Sequence, residues 1–183
     1  FAIRAFCHLD VLRLFGQMPQ NPVRKVTLPY SEDVSFKNLP RYYDYAAFCG
    51  KLESDLLAAE NALSVDPVIS TSLTYSGQED DFLDFRGLRL NYYAVKALLA
   101  RVYLWGGDRT LAYATAIEIL KAVRDSGTEL FPFVTNAAAT SSSTPDRVFS
   151  TEVLFGCYNS SRGTIHETLF APTLETAKIL TFA

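Results

Sequence analysis

The chain has 183 residues, of which 49% are hydrophobic and 20% are charged, a length and composition typical of one ordered domain rather than a disordered chain. The net charge of −3 speaks against a nucleic-acid-binding protein, because such proteins cluster Lys and Arg on one surface. The longest apolar runs fall short of the roughly 18–20 residues that span a bilayer, so the sequence predicts no transmembrane helix.

The N-terminal part of the chain predicts one helix followed by a long loop. The stretch FAIRAFCHLDVLRLFG is apolar at eleven of its first fifteen positions, which indicates a helix buried on most sides and ended by Gly16. Four prolines between residues 17 and 40 prevent a long helix there. We therefore expect an extended surface loop in this region.

An amphipathic helix is predicted from Tyr42 to Leu63. Its apolar residues recur at steps of three and four, which places one continuous stripe along the helix. The residues of this stripe are Tyr45, Phe48, Leu52, Leu56, Ala59 and Leu63. Asp66-Pro67 ends the helix, and residues 66–88, rich in Ser, Thr and acidic residues, predict a second long connection.

Two helices joined by a double glycine are predicted next. LNYYAVKALLARVYLWGGD, residues 90–108, is apolar on nearly every side, and a second helix follows from about Thr110 to Asp125, with Gly127 just past its end. A turn of only a few residues forces two such helices into an antiparallel hairpin. The expected inner face of the second helix consists of Leu111, Ala112, Ala116, Ile119, Leu120 and Val123.

The last part of the chain has weaker patterns. EVLFGCY, Glu152 to Tyr158, is β-branched and aromatic and predicts at most a short strand or an extended buried segment. A short helix is expected near residues 174–180. The three cysteines lack the paired spacing of a zinc or redox site, and Cys7 and Cys49 are expected to be small buried hydrophobic residues. The whole pattern predicts an all-α fold of helix hairpins with long irregular loops.

The hairpin resembles the helix pair of tetratricopeptide proteins, in which small residues let the two helices approach each other. Lys96 departs from that pattern, since the repeat usually has a large aromatic residue there. The residues that carry the resemblance are Ala100, Tyr103, Gly107, Asp108, Ala112 and Ala116.

Five segments, taken in order, resemble the N-terminal part of SusD/RagB-like proteins. They are RAFCHLDVLRLFG from residue 4, LPY from 28, DLLAAENAL from 55, ALLARVYLWGGD from 97 and EVLFG from 152. The resemblance covers roughly residues 1–158, and the chains of that family are considerably longer. It implies that residues 1–183 are a single-domain fragment that lacks both ends of the family chain.

This resemblance implies a surface lipoprotein of the Gram-negative outer membrane with a tetratricopeptide-like scaffold. Such proteins bind glycans or other nutrients and deliver them to a SusC-like TonB-dependent transporter, as in starch utilization. They are binding proteins rather than enzymes, so no catalytic residue and no cofactor is expected. The lipid-anchoring cysteine of the family would lie upstream of this fragment.

If the ligand is a sugar, aromatic residues in loops and at the ends of elements are the first candidates for its site. The apolar face of a sugar ring stacks on an aromatic ring, and its hydroxyls bond to polar neighbours. The candidate residues are Tyr42, Tyr43, Tyr75, Gln78, Phe82 and Tyr158, with Tyr30 as a further loop aromatic. Tyr75, beside Gln78 and Glu79, is the first choice. Trp105 is expected to pack the end of the hairpin instead.

Metal binding and catalysis have little support in the sequence. His8 and His166 are the only histidines and lack the spacing of a metal site, and His8 is expected to make a structural hydrogen bond. The acidic residues between 79 and 84 lack the spacing of a calcium loop, which favours a solvated loop. Two other functions stay open: a tetratricopeptide-type scaffold for peptide or protein partners, and, third, an all-α glycoside hydrolase with paired carboxylates.

Overall fold

The structure is a computed structural model that describes residues 1–17, 24–33, 35, 37–69, 86–123, 127–157 and 159–169. In these ranges the chain forms six helices and one sheet of two short strands, β1 and β2. The mostly helical fold predicted from the sequence is therefore confirmed. The helices are α1 (Ala2–Phe15), α2 (Tyr45–Ala62), α3 (Tyr92–Gly106), α4 (Arg109–Leu120), α5 (Asn136–Ala139) and α6 (Arg162–Leu169).

Helix α1 ends before Gly16 as predicted, but it is buried on one face only. Ala5, Leu9 and Leu12 are each 1% exposed, and they follow one another at helical spacing. Ile3 and Leu14, in contrast, are 70% and 74% exposed. The expectation of a helix buried on most sides is wrong, because α2, α3 and β1 pack on the same face of α1.

The region expected to be a loop contains half of a β-hairpin. β1 (Leu28–Tyr30) pairs antiparallel with β2 (Arg41–Tyr43), with Leu28 opposite Tyr43 and Pro29 opposite Tyr42. A proline is tolerated here because each strand of a two-stranded sheet is an edge strand. Tyr30, expected among the exposed loop aromatics, is instead 2% exposed.

Helix α2 follows the predicted stripe. It begins at Tyr45, because the two preceding tyrosines belong to β2, and the Asp44 side chain accepts a hydrogen bond of 2.9 Å from the Ala47 N–H as its N-cap. Four of the six stripe residues are buried and the two at the ends are partly buried. The buried residues are Phe48, Leu52, Leu56 and Ala59, and the partly buried ones are Tyr45 and Leu63.

The double glycine ends α3 and starts the hairpin, as predicted. Gly107 has a φ of 92°, in the left-handed region that side chains other than glycine rarely adopt. The Asp108 carboxylate then accepts a hydrogen bond of 2.9 Å from the Leu111 N–H and caps α4. Helix α4 packs along α3, which confirms the helix hairpin.

The predicted inner face of α4 is wrong for three of its six residues. Thr115 and Ile119 are its buried residues, with Ala112 and Ala116 half-buried beside them. Leu111, Leu120 and Val123, expected on that face, are 44%, 60% and 51% exposed. Apolar residues occur on several sides of α4, so helical spacing alone does not identify the side that packs on α3. The helix also ends at Leu120 rather than near residue 125.

The segment EVLFG has no strand within residues 152–157, but it is attached to the helical layer. The Gly156 N–H donates a hydrogen bond of 2.8 Å to the Leu88 carbonyl oxygen. The Leu154 carbonyl oxygen accepts one of 3.1 Å from the Asn91 side chain. The short helices α5 and α6 were not anticipated, and the helix expected near 174–180 lies outside the described residues.

Two apolar clusters form the core. The larger joins α1, α2, α3 and β1, and the smaller joins Val68, Tyr93, Ile119 and Leu130. Cys49 is buried in the larger cluster as expected, whereas Cys7 is exposed because it faces away from the buried side of α1. Within the described residues, none of the helices has the length and hydropathy needed to cross a membrane.

Candidate functional site

A buried polar network joins α1, β1 and α2. The Arg4 guanidinium donates two hydrogen bonds of 2.5 Å to the Asp55 carboxylate. The Tyr30 hydroxyl donates a third, of 2.7 Å, to the same group. Asp55 is only 6% exposed, so these donors replace the water that a carboxylate would otherwise bind.

His8 is attached to this network by hydrogen bonds to two backbone groups. The Ser31 N–H donates a hydrogen bond of 3.0 Å to His8 Nε2, and His8 Nδ1 lies 2.9 Å from the Arg4 carbonyl oxygen. Because Nε2 accepts, Nδ1 is the nitrogen that carries the proton and donates. The ring stacks on Tyr30 with centroids 4.1 Å apart. The structural hydrogen bond expected for His8 is therefore confirmed.

The hydrogen bonds of the network determine the protonation state of its side chains. Burial alone would raise the pKa of the Asp55 carboxyl, but the hydrogen bonds from Arg4 and Tyr30 outweigh burial and lower it. Burial and the bond to Asp55 raise the pKa of the Tyr30 hydroxyl. The bond to Asp55 also raises the pKa of Arg4. Each group is thus held in its ordinary protonation state, which suits a structural role.

A second buried pair joins the chain on either side of residues 70–85. The side chains of Asp66 and Arg86 are 0% and 9% exposed and form a salt bridge. Asp66 also accepts hydrogen bonds of 3.2 Å from the Val68 and Tyr92 N–H groups. Asn91, which caps α3, donates to the Arg86 carbonyl oxygen at 3.3 Å. We call the salt bridge between Asp66 and Arg86 the clasp.

Lys96, the residue that departs from the tetratricopeptide pattern, is buried and joins α3 to α2 and α4. Its ammonium lies 2.7 Å from a Glu60 oxygen on α2 and 2.5 Å from a Glu118 oxygen on α4. Burial would lower the pKa of Lys96, but the hydrogen bonds to Glu118 and Glu60 raise it above its ordinary value. Sequence spacing gave no sign that these three residues meet.

Of the predicted ligand residues, Tyr42 and Tyr43 lie in the described structure and face opposite sides of β2. Tyr42 is 66% exposed, so its ring is open to a ligand. Tyr43 is half-buried, with its ring 6.5 Å from that of Tyr30 and the Lys51 ammonium 5.4 Å above it. In the pair of strands β1 and β2, Tyr42 is therefore the exposed aromatic residue, whereas the Tyr43 ring packs beside Tyr30.

The other candidates are distributed differently. Trp105 is partly buried against the main core, and its carbonyl oxygen accepts a hydrogen bond from the Tyr45 hydroxyl, so the expected packing at the end of the hairpin is confirmed. Outside the described residues lie Tyr75, Gln78, Phe82, Tyr158 and the acidic residues Glu79, Asp80, Asp81 and Asp84.

Three surface grooves of similar size lie on the described structure. One of about 330 Å³ lies beside β1 and has Lys25 and Asp44 as its charged residues. Another of about 310 Å³ lies between α3 and the EVLFG segment and has Arg101 and Glu152. The third, of about 330 Å³, we call the hairpin groove; it lies between α2 and the turn from α3 to α4. Its lining is Tyr45, Ala46, Cys49, Gly50, Glu53, Val102, Tyr103, Gly106, Asp108 and Leu111.

The hairpin groove is open at its glycines. A Cβ atom added to Gly50 or to Gly106 would meet no heavy atom within 4 Å. Gly50 lies inside α2, where glycine is about 1 kcal/mol less favourable than alanine. No atom of the described structure lies so close to Gly50 that a side chain would be excluded there. This groove was not predicted from the sequence, although a glycine inside an otherwise regular amphipathic helix is a visible signal.

The polar groups of the hairpin groove are two tyrosines, a thiol and two carboxylates. Burial raises the pKa of the Tyr45 hydroxyl and of the Cys49 thiol. Burial, and next the nearby charge of Glu53, raise the pKa of Tyr103. The tyrosines and the thiol are therefore neutral near pH 7, whereas carboxylates ordinarily carry negative charge there. Among the described residues, no group of three His, Cys, Asp or Glu side chains could hold a metal ion.

The chain was compared with protein-family models, with curated proteins and with solved structures. None of the three comparisons found a match. The resemblance to SusD/RagB-like proteins therefore rests on the five ordered segments of the sequence alone.

Proposed function

We propose that the chain belongs to a SusD-like nutrient-binding lipoprotein on the surface of the Gram-negative outer membrane. It captures an oligosaccharide without chemistry and delivers it to a SusC-like TonB-dependent transporter. One observation carries the proposal: the segments that carry the resemblance contact one another and hold the fold together. The following contacts support it.

Three of the five segments meet at Asp55. Arg4 comes from RAFCHLDVLRLFG, Tyr30 from LPY and Asp55 from DLLAAENAL, and both donors bond to the same carboxylate. A change in any one of these residues would leave a buried polar group without its partner. This dependence is a physical reason for the three segments to occur as a set.

The other two segments attach to the helix layer in a similar way. In EVLFG, the Leu154 carbonyl oxygen accepts a hydrogen bond from Asn91, the N-cap of α3. In ALLARVYLWGGD, Gly107 and Asp108 form the turn of the helix hairpin. All five segments therefore act in the scaffold, and the ligand site is expected on the surfaces that this scaffold positions.

Binding without catalysis is supported by the state of the buried acids. Asp55 and Asp66 are both bonded to arginines and buried, so neither is placed to exchange a proton with a substrate. Tyr42 offers the exposed ring on which a sugar can stack. These features favour capture over hydrolysis.

The test measures binding of the complete protein to a panel of polysaccharides, with affinity gels and calorimetry. Tyr42→Ala is expected to weaken binding about threefold to tenfold, the range given by loss of one stacked ring, while Tyr42→Phe retains it. Tyr113→Ala is the matched control, since Tyr113 is 70% exposed on α4. Tyr75→Ala tests the first choice from the sequence, and unchanged binding would remove Tyr75 from the site.

Two results would contradict the proposal. One is turnover of a glycan by the complete protein that is lost when Asp81 or Asp84 is changed, because this would identify an enzyme. The other is a complete protein that binds no member of the panel and does not co-purify with a TonB-dependent transporter from outer membranes.

The alternative function is a tetratricopeptide-type scaffold for a peptide or protein partner. It is favoured by one side of α4, where Tyr113 and Leu120 are 70% and 60% exposed. Against it stands the single α3–α4 hairpin of this type in the described residues, since repeat arrays need several stacked units. A further hairpin at a spacing near 34 residues in the complete protein would favour this alternative.

A further inference from the structure

We propose that the ionic link of Lys96 with Glu60 and Glu118 is a conformational device that selects which side of α4 packs on α3. The link joins three helices, since Lys96 belongs to α3, Glu60 to α2 and Glu118 to α4. The proposal concerns the arrangement of the helices and does not rest on glycan binding. It follows from the composition of α4, from the geometry of the link and from the burial of Lys96.

Helix α4 has two sides that could form an inner face. The side that packs on α3 buries Thr115 and Ile119. The other side carries Tyr113, Ile117 and Leu120, which the spacing of four and three places together, and Tyr113 and Leu120 are 70% and 60% exposed. Burying one aromatic and two aliphatic side chains removes more apolar surface from water than burying a threonine and an isoleucine. Apolar burial alone would therefore favour the other rotation of α4.

The ammonium group of Lys96 has a fixed position that α4 must meet. A Glu60 oxygen lies 2.7 Å from it, and the centre of the Tyr92 ring, one turn earlier on α3, lies 5.4 Å from it. These contacts place the ammonium without any help from α4. Glu118, the one acidic residue in the sequence of α4, lies 2.5 Å from the same ammonium. One carboxylate on α4 thus marks the side that reaches Lys96.

The burial of Lys96 makes this contact selective. Its side chain is 11% exposed, so an ammonium that loses a carboxylate gains little water in return. Burial would lower the pKa of Lys96, but hydrogen bonds to Glu118 and Glu60 raise it, so the positive charge persists near pH 7. A half-turn rotation of α4 would carry Glu118 across a helix about 10–12 Å wide. The ionic link therefore opposes the rotation that apolar burial favours.

The test removes the charges while keeping the approximate shapes of the side chains. In the triple variant Lys96→Met, Glu60→Gln and Glu118→Gln, none of the three groups is left charged without a partner, and such replacements often retain stability. The matched control is Arg13→Met with Asp10→Asn, which removes an exposed salt bridge on α1. Thermal unfolding and circular dichroism check that both variants keep their helices.

Two adjacent positions report which side of α4 is exposed. Ala114 is exposed and Thr115 is 8% exposed. In the original protein, Ala114→Cys should therefore react with a thiol reagent at least about tenfold faster than Thr115→Cys. Each cysteine is introduced separately, and mass spectrometry of peptides distinguishes it from the native cysteines. In the triple variant the ratio of the two rates should fall to about threefold or less, because α4 then populates both rotations.

A milder variant and the control complete the test. Glu118→Gln alone, in which Lys96 keeps Glu60, should lower the ratio in the same direction. The control that lacks the exposed salt bridge of α1 should keep the ratio of the original protein.

The proposal is overturned if the folded triple variant keeps the original ratio of rates, because the link then adds nothing to the choice of side. It is also overturned if the triple variant unfolds while the control does not, since the link is then needed for stability and not for selection. No glycan enters these measurements, so their outcome is independent of the polysaccharide panel.

Discussion

Glu53 and Asp55 are carboxylates two positions apart on α2, yet their surroundings are opposite. Two residues correspond to a rotation of about 200° around an α-helix. Asp55 faces α1 and β1, where Arg4 and Tyr30 bond to it, whereas Glu53 faces the hairpin groove. One helix thus separates a buried carboxylate that bonds to an arginine from a half-exposed one that bonds to the Tyr103 hydroxyl.

The largest effect should come from removing the buried carboxylate. Asp55→Ala leaves the Arg4 guanidinium and the Tyr30 hydroxyl without their acceptor, and we expect the free energy of unfolding to fall by about 2–4 kcal/mol. Glu53→Ala removes a half-exposed carboxylate that bonds to the Tyr103 hydroxyl, and we expect a smaller loss, of about 1 kcal/mol at most. Urea unfolding of both variants measures the difference, and equal losses would mean that the two carboxylates contribute alike to stability.

The pH dependence of stability should follow Asp55. Because its folded-state pKa is lowered, its stabilising contribution is fully present above the ordinary carboxyl pKa of about 3.9 and is lost as pH falls through the lowered value. Acid should therefore destabilise the original protein more steeply than Asp55→Asn. Tyr30→Phe, which removes one donor, should give an intermediate slope. Urea unfolding from about pH 5 down to about pH 2 tests this, and identical slopes for all three proteins would contradict it.

A smaller effect should distinguish Gly50, which lies inside α2, from Gly16, which follows the last residue of α1. Gly50→Ala is expected to raise the free energy of unfolding by up to about 1 kcal/mol, because the new Cβ meets no atom within 4 Å. Gly16→Ala should lower it, since its Cβ would lie 2.2 Å from the Leu12 carbonyl oxygen. Thermal and urea unfolding measure both changes. A loss of stability in Gly50→Ala would mean that the groove side of α2 is packed more tightly than described.

The helices could be predicted where their apolar residues form a single stripe. The stripe from Phe48 to Ala59 contacts the core on a single side, so helical spacing alone identified its buried residues. The turn at Gly107 could also be predicted, because a residue with left-handed backbone conformation at the end of a helix is usually glycine. The buried face of α4 was predicted only in part, because apolar residues occur all around this helix. Which of them are buried depends on the position of α3, which the sequence of α4 does not reveal.

The polar contacts could not be predicted, because they join residues far apart in sequence. Arg4 and Asp55 are separated by 51 positions and Asp66 and Arg86 by 20, and no local pattern reports such pairs. The same reason explains why Tyr30 was taken for an exposed aromatic: its burial depends on α1 and α2 together. The hairpin groove likewise exists only where α2 meets the turn between α3 and α4.

The clasp has a consequence for how the chain can change in length. Asp66 and Arg86 hold the ends of residues 70–85 at the start of α3, and loop-closure entropy grows slowly, by only about 0.6 kcal/mol for each doubling of length. Insertions or deletions between the two residues should therefore leave the register of α3 intact. We therefore expect such changes of length to cost the fold little stability, about 0.6 kcal/mol even where the interval is doubled.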